Sequence, residues 1–242
     1  MEDWSTYYEK RVRRDLLTWE NEIRASDSPL SRASQGLSRK INRWIPQKAH
    51  DALTSAIKGM VKSVLTGAQF IPKPIADPSL SLYERDEQAK LVIGKYRKIA
   101  ATEGAATGAG GIILGMVDFP ALLAIKMNML FELAPLYGFE TRSYRERLFI
   151  LHVFQLTYSS SQTRNRIFHT IRHWQPDTTI SEPDWQTFQQ EYRDSMDLRK
   201  LLQLLPGIGA VVGAWANDGL TKELGRNAIC SYQSRYLSVN NR

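Results

Sequence analysis

Glycine and alanine dominate one stretch of the chain, and that stretch constrains the fold more than any other feature. Residues 104–139 read GAATGAGGIILGMVDFPALLAIKMNMLFELAPLYGF, in which Gly104 and Gly108, and then Gly111 and Gly115, are four residues apart. In a helix this spacing places small residues on one face. Because glycine costs about 1 kcal/mol per helical position relative to alanine, the pattern predicts that another backbone packs closely against this face.

A second stretch of small residues lies near the end of the sequence. Residues 206–217 read PGIGAVVGAWAN, and Gly209 and Gly213 are again four residues apart. Two helices with small-residue faces can approach each other closely because no side chain holds their backbones apart. We therefore expect the two stretches to pack against each other or to line one narrow crevice, with residues 104–139 forming a central helical hairpin.

Apolar residues elsewhere recur every three to four positions, which is the period of an amphipathic helix. The pattern predicts helices over Asp3–Ala25 and His50–Phe70. Ser81 with Glu84 forms the capping-box pattern that opens a further helix. Residues 121–137 are apolar nearly all round, as a buried central helix should be, and Gly138 is expected to end that helix.

The second half of the chain continues in the same way. Helices are predicted over Ser143–Thr157 and Ser161–Trp174, and another over residues 181–205. Pro206 is expected to open a glycine-rich helix and Gly225 to break it before a terminal helix. No segment reads convincingly as a strand. The predicted fold class is all-α, with a single multi-helix domain around the glycine-rich hairpin.

The composition is that of a globular protein with a substantial core, since 43% of its 242 residues are hydrophobic and 24% are charged. The single cysteine, Cys230, excludes an internal disulfide framework and suits a reducing compartment. The charged N-terminus lacks the apolar region of a secretory signal. Residues 104–125 are long enough to span a membrane, but Asp118 and Pro120 interrupt them, so a buried hairpin in a soluble or peripheral protein is preferred.

Positive charge is concentrated in the first third of the chain. The net charge is +7, and residues 26–75 hold eight basic residues against two acidic ones. On an anionic membrane each basic residue contributes about 1 kcal/mol, and tryptophan favours the interface. We expect a membrane-binding surface here; the alternative is a solvated face that keeps a basic protein in solution. Nucleic acid is an unlikely partner because no aromatic series interleaves these charges. The predicted surface consists of Arg39, Lys40, Arg43, Trp44, Lys58 and Lys62.

Four polar residues accompany the glycine-rich elements. If those elements meet, Asp118, Glu132 and Asn217 could share a polar pocket, which His152 could join from the following helix. A carboxylate pair with a histidine suits acid–base or metal-assisted catalysis. The alternatives are that Asp118 caps the helix that follows it and that the others form a buried hydrogen-bond network.

The motifs of common nucleotide and hydrolase sites do not occur. The sequence contains neither GxxxxGK[ST] nor GxSxG, and the glycines from Gly108 onward follow a helix, not the strand that precedes a dinucleotide-binding turn. No cofactor and no metal site are predicted. Arg226 and Arg235 lie near Cys230 and would lower its pKa, although plain packing is the commoner role of a lone cysteine.

Several short motifs, in the same order along residues 40–237, resemble the EcsC family. They are Ile45-Pro46 before a long apolar helix, LYERDE at 82–87, AATG at 105–108 leading to DFP at 118–120, YGFE at 137–140, Glu146-Arg147, and PGIGAVVGA at 206–214 followed by Asn217. Where the family has an aspartate after Gly-Phe, this chain has Glu140, which keeps the charge.

The resemblance implies a bacterial helical protein that is cytosolic or membrane-associated. The family takes its name from an operon that also encodes an ABC transporter implicated in secretion and regulation, so a membrane transporter is an expected partner. The resemblance brings no catalytic residue with it. It divides the chain into residues 1–35, an N-terminal amphipathic helix and linker, and residues 36–242, the EcsC-like all-α domain.

Together these features favour a non-enzymatic protein, cytoplasmic and peripheral to the inner face of the cell membrane, that is linked to transport or secretion. It would bind anionic lipid or an apolar ligand. Two other functions stay open. One is a metal-dependent or acid–base hydrolase with a polar pocket around Asp118; the other is a membrane-perturbing effector module, which the glycine stretches suggest.

Overall fold

The computed structural model describes residues 4–25, 47–67, 70, 73–109, 119–174 and 209–239. Over these ranges the chain forms helices and connecting loops, without a strand, which confirms the all-α prediction. The elements are α1 (Trp4–Arg24), α2 (Gln47–Thr66), α3 (Leu82–Ala109), α4 (Phe119–Leu133), a 3₁₀ turn (Ala134–Tyr137), α5 (Tyr144–Tyr158), α6 (Ser161–Arg172) and α7 (Gly209–Val239).

Two helix boundaries follow local chemistry that the sequence shows. Before α3, the Ser81 N–H donates to the Glu84 carboxylate at 2.8 Å, and the Glu84 N–H donates to the Ser81 hydroxyl at 3.4 Å, which completes the capping box. After α4, Gly138 ends the 3₁₀ turn with a φ of +89°, a left-handed conformation that glycine adopts without strain. Both predictions are confirmed.

The core lies around α4 and α5. Residues 148–158 of α5 are buried without exception, and α2 covers this layer with Ile57, Val61 and Val64. Just after α2, the Phe70 ring stacks on Phe131 of α4 with centroids 4.3 Å apart. Within the described ranges, none of the helices combines the length and the apolar character that crossing a bilayer requires.

The two longest helices, α3 and α7, form the most extensive helix pair among the described residues, and they run antiparallel. Three contacts define the register. Asp86 meets Gln233, the Ile93 side chain meets the backbone of Gly225, and Arg97 meets Asp218. A step forward along α3 therefore corresponds to a step backward along α7.

Gly225 does not break α7, so that sequence prediction is wrong. The helix continues from Gly209 to Val239. Gly225 faces α3, where a Cβ atom at this position would lie 2.7 Å from two side-chain atoms of Ile93. This glycine permits a close approach of two helices and does not terminate one.

Helix α1 packs against α3, α6 and α7. Its buried residues Val12, Leu16, Trp19 and Ile23 recur at helical spacing, as the amphipathic pattern predicts. Trp19 also donates from Nε1 to the side chain of Asn227 in α7 at 2.9 Å. The first helix is thus joined to the last by both apolar and polar contacts.

The glycine-rich hairpin lies only partly within the described residues. Of the six predicted packing glycines, the described helices include Gly104, Gly108, Gly209 and Gly213, while Gly111 and Gly115 fall outside. The register of α3 and α7 directs the two glycine-bearing helix ends towards each other. The close packing of the glycine faces and the hairpin itself stay predictions.

Candidate functional site

Two charged side chains lie on the buried face of α3. Leu82, Ala89 and Ile93 mark that face, and Arg85 and Asp86 fall between them at helical spacing. Arg85 is 4% exposed and Asp86 is 1% exposed. Buried charges require hydrogen bonds or partners, so the groups that contact these two side chains indicate their role.

Asp86 is the centre of a hydrogen-bond cluster that joins four elements. Its carboxylate accepts from the Tyr8 hydroxyl of α1 at 2.8 Å, from the Tyr137 hydroxyl of the 3₁₀ turn at 2.6 Å, and from the Gln233 amide of α7 at 2.7 Å. Burial raises the pKa of Asp86 above its ordinary value, and the three hydrogen bonds oppose that shift. Because each bond ties a different element to α3, this carboxylate is a structural junction.

Arg85 is held by backbone carbonyls. Nε donates to Leu80 at 2.9 Å and Nη1 to Leu136 at 2.6 Å, while Nη2 donates to Asp77 at 2.9 Å and to Pro78 at 3.2 Å. Among the described residues, no carboxylate forms a salt bridge with this guanidinium. Its positive charge is therefore stabilised at close range by carbonyl dipoles, and only through space by the carboxylates of Asp77 and Glu84.

An open pocket of about 320 Å³ lies beside Arg85. Its walls come from the connector before α3, from the 3₁₀ turn with the residues after it, and from the C-terminal end of α7. Tyr137 lines the pocket and also donates to Asp86, so the pocket adjoins the buried cluster. Besides Arg85 and Tyr137, the lining includes Ile75, Ala76, Pro78, Phe139, Tyr236 and Val239.

One wall of the pocket is fixed by a buried ion pair. Arg235 of α7 donates to both carboxylate oxygens of Glu146 at 2.7 and 2.6 Å, and each side chain is 12% exposed. The same guanidinium lies 3.8 Å from the ring centre of Phe139 and 4.1 Å from that of Phe149. This bidentate pair positions the Phe139 ring, and because its charges cancel it adds no net charge to the pocket.

Exposed aromatic residues lie close to the same end of α3. Trp4 stacks on Tyr7 with centroids 5.7 Å apart and meets the edge of Tyr83 at 6.4 Å. These three side chains are 62%, 50% and 39% exposed. Tyr8, which contacts Tyr83 at 5.2 Å, connects this surface to the Asp86 cluster. We call Trp4, Tyr7 and Tyr83 the aromatic surface.

Glu132, one of the predicted catalytic residues, is an ion-pair partner in the structure. Its carboxylate accepts from Lys95 of α3 at 3.0 Å and from the Tyr96 hydroxyl at 2.9 Å. Burial by itself would raise the pKa of Glu132, but the hydrogen bonds and the positive charge of Lys95 bring it below the ordinary value. An ionised, paired carboxylate of this kind joins α4 to α3.

His152, another predicted catalytic residue, belongs to α5 and is buried in the core of the protein. Its Nδ1 is 2.8 Å from the Leu148 carbonyl, and its ring meets Trp174 edge to face with centroids 5.3 Å apart. Burial lowers the pKa of His152 below its ordinary value. The hydrogen bonds of His152 and those of Glu132 go to different residues, so none of them joins the two.

The other two predicted catalytic residues are not described. Asp118 lies outside the described residues, and so does the side chain of Asn217, whose backbone belongs to α7. The four-residue pocket therefore stays a prediction. Over the part of the chain that the structure describes, no three His, Cys, Asp or Glu side chains come together as a metal site would require.

The predicted basic surface is partly described. Lys58 and Lys62 are both exposed on α2. The remaining members, Arg39, Lys40, Arg43 and Trp44, lie outside the described residues.

Of the two roles considered for Cys230, the structure supports plain packing. Burial raises the pKa of this thiol to about 12, although the charge of Arg226 opposes the shift. The side chain is therefore a neutral thiol near pH 7 and packs in α7, which is the commoner role of a lone cysteine.

Arg85, Asp86 and Tyr137 were not predicted as site residues, because in the sequence they stand out only as parts of family motifs. A usable signal is present in α3. Positions 82, 85, 86, 89 and 93 follow one helix face, so two charges interrupt an otherwise apolar stripe. Such charges are buried and need partners. The identity of those partners was not accessible, since they come from distant parts of the chain.

Comparison with known proteins places the chain among bacterial relatives. The sequence model of the EcsC protein family matches residues 10–237, a range that begins within α1 and so extends further towards the N-terminus than the short motifs do. The chain is 44% identical over 223 residues to Protein EcsC of Bacillus subtilis (strain 168), which covers 92% of this chain and 94% of that protein. It is 32% identical over 151 residues to the uncharacterized protein YdbA of the same strain, with coverages of 60% and 56%. No solved structure matches the chain.

Proposed function

The chain belongs to the EcsC protein family, and from this membership together with the geometry above we propose that it is a non-enzymatic protein that binds the anionic inner face of a bacterial membrane. It would act there in or beside a transport or secretion process, with a membrane transporter as a neighbour. The association is peripheral, through side chains at the surface of a folded helical domain.

One face of α2 carries the proposal. Ile57, Val61 and Val64 are buried in the core, while Lys58 and Lys62, four residues apart, are exposed on the other side. Core contacts thus hold the two ammonium groups outward on a rigid helix. Near an anionic surface each contributes about 1 kcal/mol, and the basic residues at positions 39, 40 and 43 would add to this weak, salt-sensitive attraction.

The aromatic surface supports the same function. Tryptophan and tyrosine favour the membrane–water interface because their rings are apolar while their N–H and O–H groups reach water. Trp4 and Tyr7 are at least half exposed and stack on each other, so they offer a contiguous amphipathic area. Their contribution would depend little on salt, unlike that of the lysines.

Vesicle flotation tests the proposal. We expect the protein to float with vesicles containing phosphatidylglycerol and to stay behind with pure phosphatidylcholine, and we expect binding to fall as salt shortens the range of charge interactions. The double variant K58E/K62E should weaken binding to anionic vesicles by at least about thirtyfold, since four units of charge change near the surface.

The matched control is K98E/K222E. Both of these lysines are exposed, on α3 and α7, and the charge change is the same. If the control variant loses as much affinity as K58E/K62E, net charge and not the α2 face governs binding, and the proposal fails. Release of an encapsulated dye on binding would instead indicate a membrane-perturbing module. Hydrolytic turnover that depends on Asp118 would indicate the enzymatic alternative.

A further inference from the structure

We infer that the pocket beside Arg85 binds a single-chain amphipathic anion, that is, an acidic head group attached to one alkyl or acyl chain. The inference does not depend on membrane docking, because the pocket and the basic face of α2 are built from different residues. It rests on the charge of Arg85, the nature of the pocket walls, and the size of the opening.

The charge of Arg85 selects an anion. A buried guanidinium is ordinarily paired with a carboxylate, because a buried charge without an opposite charge is costly. Arg85 is 4% exposed, lines the pocket, and makes its four hydrogen bonds to backbone carbonyls. A guanidinium has five N–H groups, and the acceptors among the described residues take four of them, which leaves one N–H of Nη1. An acidic group in the pocket would place an opposite charge in direct contact with the guanidinium.

The acids near the pocket interact with Arg85 only through space. Hydrogen bonds from Ser79 and Ser81 lower the pKa values of Asp77 and Glu84, and the charge of Arg85 adds to both shifts, but over the described residues neither carboxylate bonds directly to the guanidinium. Asp77 uses its carboxylate to accept from the Ser79 N–H at 2.9 Å and from the Ser79 hydroxyl at 2.8 Å. Glu84 is engaged in the capping box with Ser81. The Asp86 carboxylate accepts from three neutral donors, and it is not among the residues that line the pocket.

The walls select an apolar body for the ligand. Ile75 and Val239 stand at the pocket with 47% and 62% of their surfaces exposed, although large aliphatic side chains are usually covered. Phe139 and Tyr236 supply aromatic walls. A ligand that covered these surfaces would remove apolar area from water while its head group met Arg85.

The size of the pocket limits the ligand to one chain. A volume of about 320 Å³ is at the lower end of the range of small-molecule sites. The pocket is open to solvent, so a chain longer than the pocket can extend outside it. A diacyl lipid could not bury both of its chains here.

Titration calorimetry with three ten-carbon probes tests the charge selection. Decanoate, decanol and decyltrimethylammonium share a chain and differ in the charge of the head group, and each is used below its micelle concentration. We expect decanoate to bind with at least tenfold higher affinity than decanol, and decyltrimethylammonium to bind least. Equal binding of all three, or no binding of decanoate, would overturn the inference.

Two substitutions locate the binding site without touching Arg85. Ala76→Trp fills the pocket, and its backbone N–H can still donate to the Pro135 carbonyl, so decanoate binding should be abolished. Val239→Glu places a negative charge at an exposed position of the rim and should weaken decanoate binding by at least about threefold. The control Leu91→Glu changes a 75% exposed residue outside the lining and should leave binding unchanged.

The same variants separate this inference from the proposed function. A76W should lose decanoate and still float with anionic vesicles like the unmodified protein, and K58E/K62E should show the reverse. Decanoate binding that is unchanged in A76W would place the ligand elsewhere and overturn the assignment of the pocket.

Discussion

At Asp86 a single carboxylate decides how several helices meet. Tyr8, Tyr137 and Gln233 donate to it, and each comes from a different element. The burial that raises the pKa of Asp86 also makes every unsatisfied donor around it expensive. The side chain therefore acts through the hydrogen bonds it accepts. Its removal should weaken the attachment of α1, the 3₁₀ turn and α7 to α3 together.

Replacing Asp86 by alanine should lower the free energy of unfolding by about 3–5 kcal/mol, because three donors lose their acceptor and two of them are buried. Asp86→Asn keeps the size of the side chain and one acceptor oxygen, so its loss should be smaller. Urea denaturation measures both. The control Glu87→Ala, one position along α3, breaks only an exposed pair with Lys90 and should cost no more than about 0.5 kcal/mol. Equal losses of unfolding free energy for the alanine variants at positions 86 and 87 would show that Asp86 is not a structural junction.

His152 gives the stability a pH dependence. Burial lowers the pKa of His152 in the folded protein, whereas in the unfolded chain it titrates near the ordinary 6.5. Below that pH the unfolded chain binds a proton that the folded protein does not, so stability should fall as the pH drops from 7.5 to 5.5. His152→Phe keeps a ring against Trp174 and should reduce this loss, as measured by urea denaturation at the two pH values. An equal loss of stability in His152→Phe and in the unmodified protein would show that His152 is not its source.

Helices α3 and α7 are held together by two polar contacts and by close backbone packing between them. Gln233 donates to Asp86 near the start of α3, and near the middle of α3 Arg97 donates from Nε and Nη2 to the Asp218 carboxylate at 2.8 and 2.7 Å. The hydrogen bond with Arg97 holds the pKa of Asp218 below its ordinary value. Between these contacts, Gly225 lets Ile93 reach the backbone of α7. The pair is thus packed too tightly for a side chain at that position.

Gly225→Ala tests this packing, because the direction of the change in stability shows whether a methyl group fits between the two helices. Alanine favours a helix over glycine by about 1 kcal/mol, but here its methyl group would overlap Ile93, so we expect a net loss of about 1–2 kcal/mol. Gly219→Ala in the same helix meets nothing within 4 Å and should be neutral or stabilising. Thermal denaturation compares the two. In a protein that already carries Ile93→Ala the overlap is gone, so Gly225→Ala should be stabilising there. A stabilising Gly225→Ala would refute the close approach.

The molecule as a whole is organised around the α3–α7 pair, against which α1, α4 and α5 pack. Because the pair is antiparallel, the glycine-bearing end of α3 and the glycine-bearing start of α7 belong to the same end of the molecule. The pocket and the Asp86 cluster lie at the opposite end of the pair, where α3 begins and α7 ends. The glycine-bearing helix ends and the pocket with its Asp86 cluster therefore lie at opposite ends of these helices.

The predicted glycine packing can likewise be tested by whether an alanine substitution raises or lowers the melting temperature. If the two glycine faces touch, Gly108→Ala and Gly213→Ala should each lower the melting temperature, since a methyl group would push the backbones apart. If they do not touch, both substitutions should raise it through helix propensity. Gly94→Ala, in α3 with open space around it, is the control and should be neutral or stabilising. A rise for all three would leave the glycine stretches without a packing role.

Much of this fold was predictable from the sequence. The amphipathic stripe of α1, the capping box before α3 and the stop at Gly138 all depend on residues within about four positions of one another, and such short-range rules act before any tertiary contact forms. The prediction that failed, a break at Gly225, shows the limit of those rules. Glycine is a helix breaker by propensity, and only the presence of Ile93 opposite it explains why the helix continues.

The sequence by itself determined that the chain is all-helical, where most of its described helices begin and end, and that it belongs to the EcsC family. Only the tertiary structure decided that Asp86 joins Tyr8, Tyr137 and Gln233, which are 78, 51 and 147 residues away from it along the chain. The pocket beside Arg85 likewise requires segments from before α3, after α4 and the end of α7. Periodicity reports which face of a helix is buried, but the partner that a buried charge meets depends on how distant helices pack.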